Sequence, residues 1–313
     1  MTDHAPFDDL RSLLAQLPSA DNSAFDAARA ALTAKGTLDV PPGLSPHGLP
    51  GLAAFLAAWQ GRQVPGVRET HNCLFAASYQ GGPPPQDIRA WVDLAARGRA
   101  PVNLLSVRQG LGLRVLEMAV DMPHSVTPAN PAWSEKDCMA AVAFGMEATA
   151  QRGDVLGLGD LAFGNQAAAS ALIVYLLAMG PDMLDPKGLS LYRALEQAGT
   201  PADPLDALRR LGGPDIAAMV GAIIAARSAR LPVLLDGWAA LAGAAVLHAL
   251  SPDAISHCLV ASADEGVQAT ALERLGHRPL TNAGSGAGPG AALALAAGIL
   301  EQAVSLFDLV DGA

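Results

Sequence analysis

Asp160 stands in a glycine-studded turn, Leu156-Gly157-Leu158-Gly159-Asp160-Leu161-Ala162-Phe163-Gly164-Asn165-Gln166, between an apolar run and a long alanine-rich stretch. A carboxylate there could be a general base, an acceptor for a ribose hydroxyl, or a turn residue. Closely spaced glycines let a backbone approach a ligand, and the helix that follows offers unpaired N–H groups to an anion. Asn165 and Gln166 could bind such a ligand or cap that helix. Asp236 ends the apolar run Pro232-Val233-Leu234-Leu235, which places it on the edge where open α/β sheets bind ligands. Ser262 and Glu265 follow another apolar run and could line the same edge or open the next helix. A second glycine cluster, Asn282 to Gly290, contains Ser285, Gly286 and Gly288 but no ionisable side chain. Two such loops point to a small molecule bearing a phosphate or nucleotide. Trp238, beside Asp236, is placed for a planar ligand, whereas Trp59, Trp91 and Trp133 read as packing anchors.

The elements that hold these residues are helices and short apolar strands in alternation. Strands are expected at about 73–77, 102–107, 154–157, 231–235 and 255–261. Helices are expected within 7–35, near 52–59, 86–97 and 108–119, from Ser134 to about 151, and at 204–211, 214–229, 264–275 and 291–309. Asp21-Asn22-Ser23 and Ser134 to Asp137 supply N-terminal capping patterns. Alternation from 70 to 290 is the signature of a parallel sheet covered on both faces. Both chain ends are helical and are expected to pack together. The division is therefore residues 1–60 as a helical lobe segment, 61–290 as the α/β domain with the ligand cleft, and 291–313 as a helix closing the lobe.

With 313 residues, 51% of them hydrophobic and 16% charged, the chain can bury a large core and is not disordered. A net charge of −10 and the lack of a basic stripe argue against a nucleic-acid partner. Cys73, Cys138 and Cys258 are scattered, without metal or redox spacing, and read as buried apolar residues. The seven histidines show no metal-ligand pairing, so no metal is expected. No secretory signal is visible, and the apolar segments 168–179 and 239–250 are too short to span a bilayer. The expectation is a cytoplasmic protein with no membrane contact.

Across nearly its whole length the chain resembles the nicotinate-nucleotide–dimethylbenzimidazole phosphoribosyltransferase family, which makes the lower-ligand nucleotide of cobalamin. Gly159 to Asn165 is similar to the family's Gly-Glu-Met-Gly-Ile-Gly-Asn turn. Asp203-Pro204-Leu205, Leu211 to Met219 and Pro232 to Gly237 match family segments almost letter for letter. Pro41-Pro42-Gly43 resembles the early Lys-Pro-Pro-Gly loop, with Val40 for the lysine, and Gly286 to Leu293 aligns with Gly-Glu-Gly-Ser-Gly-Ala-Ala-Leu. The resemblance implies a helical lobe from both ends, a homodimer, and neither metal nor cofactor. The implied reaction moves 5-phosphoribose from nicotinate mononucleotide to dimethylbenzimidazole or a related base, with inversion at ribose C1.

The departures fall where that reaction would occur. The family's general-base glutamate is Ala287 here, leaving Asp160 as the carboxylate that the motifs offer in its place. The family's Asp-His-Gly reads Ser78-Tyr79-Gln80, its Gly-Arg-Gly-Thr-Gly loop is shortened to Gly180 to Leu184, and Tyr192 is nearest to an absent lysine. The His-Arg-Ser and Gly-His pattern survives only as Ser262 and Glu265-Gly266. The ligand-facing set expected from motif positions is Ser78, Gly157, Gly159, Gly164, Asn165, Gln166, Asp236, Ser262, Ser285, Gly286 and Gly288. The competing reading is an inactive paralogue that binds the base or nucleotide, or supports an intact homologue in a hetero-oligomer.

Overall fold

A computed structural model describes residues 5–36, 46, 48–284, 286 and 288–309. Val40, the Pro41-Pro42-Gly43 loop, Ser285 and Ala287 lie outside the described residues. The chain enters through α1 (Pro6–Leu14), α2 (Asn22–Ala34) and α3 (Gly48–Gln60) before β1 (Thr70–Ala76). Asp21 caps α2 by accepting the Ala24 N–H at 3.0 Å. Two helices, α4 (Pro85–Ala96) and α5 (Pro101–Arg108), lead to β2 (Gly112–Glu117), and α6 (Glu135–Gly145) leads to β3 (Val155–Asp160). The expected capping box forms at α6, where Ser134 Oγ accepts the Asp137 N–H and the Asp137 carboxylate accepts the Ser134 N–H.

Beyond β3 run α7 (Gln166–Leu176), α8 (Pro186–Ala198), α9 (Pro204–Leu211) and α10 (Pro214–Ser228), then β4 (Val233–Asp236) and α11 (Trp238–Leu250). Finally β5 (Cys258–Val260) precedes α12 (Val267–Leu275) and α13 (Ala291–Ser305). The five strands are all parallel, in the order β2-β1-β3-β4-β5.

The strands other than edge strand β2, which is only half-buried, are buried on both faces, and their side chains separate with the two-residue period of a strand. Cys73, Phe75, Leu156, Leu158, Val233, Leu235 and Val260 face the layer formed by α6, α7 and α9 to α12. Leu74, Val155, Leu234 and Leu259 face the other layer, with Phe55 and Trp59 of α3 and Leu293 and Leu300 of α13. The terminal segments meet here: α2 and α13 both pack on α3. The first helix departs from them, because Phe7 and Leu10 of α1 are buried in the opposite layer, where α1 packs on α6. The stretch Ala291–Asp308 is long and apolar enough to cross a membrane by composition. In the fold α13 is spent against α3 and β4. Cys73, Cys138 and Cys258 are buried and free, and burial pushes the Cys73 and Cys138 thiols up to about 12.

One stretch reverses its expectation. The run at 102–107 is helix α5, and the strand lies at 112–117, where a helix was expected. Pro101 suits the first helical position, and Asn103 Oδ1 accepts the Ala100 N–H at 2.9 Å, which closes the first turn. Only Val102 and Ser106 of α5 are buried, four residues apart, while Leu104 and Val107 are exposed. That burial has a helix period, which the letters Val-Asn-Leu-Leu-Ser-Val do not display on their own. Likewise β5 begins only at Cys258, because Pro252–Ile255 forms a short 3-10 turn.

Candidate active site

The sheet's carboxyl edge brings together residues far apart in the chain. Gly159 pairs with Asp236 in the register between β3 and β4, so Asp160 and Asp236 end adjacent strands. Asp160 Oδ2 accepts the Ala239 N–H at the start of α11 at 2.8 Å. Gly237 makes that approach possible: its φ is +90°, and a methyl group there would lie 2.9 Å from Asp160 Oδ2. The carboxylate therefore satisfies the end of α11 from a neighbouring strand. Burial raises the Asp160 pKa to about 6, against the opposing effect of the Ala239 hydrogen bond.

Asn165 does not cap α7 with its side chain. Its amide instead donates to Asp160 Oδ2 at 3.2 Å and to Asp215 Oδ2 at 2.9 Å. Asp215, fully buried at the start of α10, accepts a second hydrogen bond from the Tyr79 hydroxyl on its other oxygen. Gly213 gives that phenol its room, since a methyl there would sit 2.0 Å from the Tyr79 oxygen. The Tyr79 ring meets His124 edge-on, and His124 packs on Trp133. Burial pushes both Asp215 and Tyr79 up, while the hydrogen bonds from Tyr79 and Asn165 act against burial on Asp215 and favour its carboxylate. This chain from Tyr79 to Asp160 was not legible in the sequence. Asp215 reads there as an ordinary first-turn acid after Pro214, and nothing local marks it as buried.

Above these strand ends lies a cavity of about 380 Å³, lined by Asp160, Gly164 to Gln166, Asp236 to Trp238, Ser262 to Asp264, Gln268, Gly284, Gly288 and Pro289. That volume suits a small ligand. Gly164, at φ +106°, turns the chain from β3 toward α7, and Gln166 begins that helix at the cavity wall. An α7 N-terminus without a side-chain cap favours an anion at this wall. Ser262 Oγ accepts the Gly284 N–H at 2.6 Å, tying the second glycine segment to the end of β5. Burial, then the nearby charges of Asp160 and Asp264, raise Asp236 to about 7. Asp264 belongs to the cavity although the sequence drew attention to its neighbours; Glu265 instead lines an adjoining groove of about 1460 Å³ beside α3 and α12.

Several of the expected residues do not line this cavity. Gly157 and Gly159 are β3 residues beneath the cavity, and their missing side chains make room for Asn72, Leu74 and Leu293. The close approach they allow here is that of Leu293 from α13. Ser78 is buried, and its hydroxyl donates to the Val120 carbonyl at 2.6 Å. Gly286 is exposed and lies outside the cavity lining. Asp160, Gly164, Asn165, Gln166, Asp236, Ser262 and Gly288 do converge on the cavity, with Trp238 beside them.

Comparison with known proteins places this geometry in a family. A family profile described as phosphoribosyltransferase matches residues 17–311. The chain is 40% identical over 321 residues to the nicotinate-nucleotide–dimethylbenzimidazole phosphoribosyltransferase of Allorhizobium ampelinum, covering 96% of this chain and 93% of that one. It is 39% identical over 320 residues, with the same coverages, to the like-named protein of Sinorhizobium medicae. The crystal structure of the nicotinate-nucleotide–dimethylbenzimidazole phosphoribosyltransferase from Thermus thermophilus superposes with a TM-score of 0.78 at 25% identity, over 93% of this chain and 97% of that one. Sequence and fold agree along the length of the molecule, and the chain belongs to this phosphoribosyltransferase family.

Proposed function

We propose that this phosphoribosyltransferase moves 5-phosphoribose from nicotinate mononucleotide to dimethylbenzimidazole or a related base. The observation that carries this is the cavity itself: the Gly164–Gln166 turn at the start of α7 lines it together with Asp236 and Trp238. The helix start offers N–H groups to a phosphate, Trp238 offers a face to a planar base, and the carboxylates offer a destination for a proton. The decisive assay incubates purified protein with nicotinate mononucleotide and dimethylbenzimidazole and follows the nucleotide product. Product formation supports the reading. In calorimetry, nicotinate mononucleotide should bind and nicotinate riboside much more weakly; equal affinities would remove the phosphate cradle.

The inactive, binding or supporting-subunit reading keeps one specific argument. Ala287 stands where the family's glutamate is expected, and Ser78 and Tyr79 are turned into the interior. If wild type and Ala287→Glu both fail to turn over while an intact homologue does, the supporting role stands. A homodimer, or a hetero-oligomer with such a homologue, is the assembly we propose; sedimentation of the protein alone and mixed with the homologue distinguishes them.

A further inference from the structure

We propose that Asp236, and not Asp160, accepts the proton that the attacking azole loses when it bonds to ribose C1. The inference rests on the phosphoribosyl-transfer reading. With alanine at 287, the motifs point to Asp160 as the replacement base, and the structure gives that residue another task. Its Oδ2 holds the Ala239 N–H at 2.8 Å and the Asn165 amide at 3.2 Å. Asn165 is itself fixed by Asp215, which is fixed by Tyr79. A proton on either oxygen of Asp160 would neutralise the acceptor and weaken the hydrogen bonds that orient α11 and the turn before α7. Asp160 is thus a fastening.

Asp236 is differently placed. It lines the same cavity from the next strand, and among the described residues its carboxylate accepts no hydrogen bond. The charged groups facing it are carboxylates, Asp160 and Asp264, and among the described residues no Lys, Arg or His lines the cavity. Burial, and then two negative neighbours, strengthen its hold on a proton, and its value of about 7 suits a base working near neutrality. Asp264 is shared between the cavity and the adjoining groove, lining both.

The step balances as follows. One azole nitrogen gives its lone pair to ribose C1, and the bond from C1 to the nicotinate nitrogen breaks. That bond's electron pair neutralises the pyridinium, which leaves as nicotinate. The N–H proton on the other azole nitrogen passes to an Asp236 oxygen, so the product azole is neutral.

The test compares dimethylbenzimidazole with its N-methyl derivative, which has no N–H proton to lose and gives a cationic product. Asp236→Asn should lower kcat/KM for dimethylbenzimidazole by roughly 10²-fold or more, the usual worth of a positioned base, and cost far less with the N-methyl base. In wild type, the pH profile with dimethylbenzimidazole should carry an acid limb near 7 that the N-methyl base lacks, a readout independent of how any variant folds. Equal losses with both bases, or the same acid limb with both, overturn the assignment while leaving phosphoribosyl transfer intact. No transfer by wild type to either base overturns the transfer reading, and this inference with it.

Discussion

Gly221 in α10 lies against the main chain of Val142 in α6, so close that a methyl group on it would stand 1.8 Å from the Val142 carbonyl oxygen. Gly145 closes the same crossing from the other side, where a methyl would meet the Ala218 carbonyl oxygen at 1.9 Å. The helices touch backbone to backbone, and neither contact can yield by a side-chain rotation. Alanine would gain about 1 kcal/mol in helix propensity, but overpacking of this kind costs about 1–3 kcal/mol or more. Gly221→Ala is therefore expected to lower the urea midpoint with an unchanged m-value. A midpoint equal to wild type would show that the helices separate freely.

Arg227 should be equally intolerant of lysine. Its buried guanidinium donates to the Pro18 carbonyl at 2.8 Å, to Ser256 Oγ at 2.7 Å and to the Asp253 carboxylate at 2.6 Å. It also lies 4.6 Å from the centre of the Trp59 ring. One ammonium cannot reproduce that fork, and buried acceptors would lose their donors. Arg227→Lys is expected to cost about 2–3 kcal/mol by denaturant titration. A loss below about 0.5 kcal/mol would mean that the acceptors find water instead.

Tyr79→Phe removes a hydroxyl from Asp215 and little else. It should cost about 1–3 kcal/mol, the range for leaving a buried acceptor short of a donor. Through Asn165 it should also loosen Asp160, so kcat should fall further than the stability loss explains. Unchanged stability and unchanged kcat together would show that the network carries no strain to the cavity.

The dependence of stability on pH has two opposed parts. Asp236 and Asp160, raised to about 7 and about 6 from 3.8, keep their protons in the folded chain after the unfolded chain has lost them. Their contribution is whole below about pH 4 and is lost as pH rises through 6 to 7. His257 and His277, lowered to about 3 and about 4 by burial, act the other way: they favour unfolding as pH falls below about 6.5. A comparison of variants isolates the first part. The melting temperature of Asp236→Asn relative to wild type should rise from near zero difference at about pH 4 to a few degrees in the variant's favour at about pH 8. A difference independent of pH would mean that Asp236 titrates normally.

Much of the sheet was readable because its strands are short apolar runs between breakers, and three of the four carboxyl-edge positions read from the sequence (Asp160, Asp236 and Ser262, but not Ser78) reach the cavity. What failed has physical causes. The run Val102 to Val107, interrupted by Asn103 and Ser106, has no strand or helix period that its letters display, and its burial shows it to be helical. The β3 glycines have the letters of a ligand cradle, yet Gly157 and Gly159 admit Leu293 from a helix more than a hundred residues later. Asp215 and Ser78 are polar residues whose partners lie on distant elements, information that one-dimensional spacing does not carry.

The layer holding α2, α3 and α13 is assembled from both ends of the chain, and this orders events during synthesis. The sheet and the helices on its other face can form once residues through 275 have emerged. Leu74, Val155, Leu234 and Leu259 then wait for Leu293 and Leu300 to arrive from α13. Until the ribosome has released those residues, a strip of strand surface stays wet and adhesive, the state in which a nascent chain calls on chaperones.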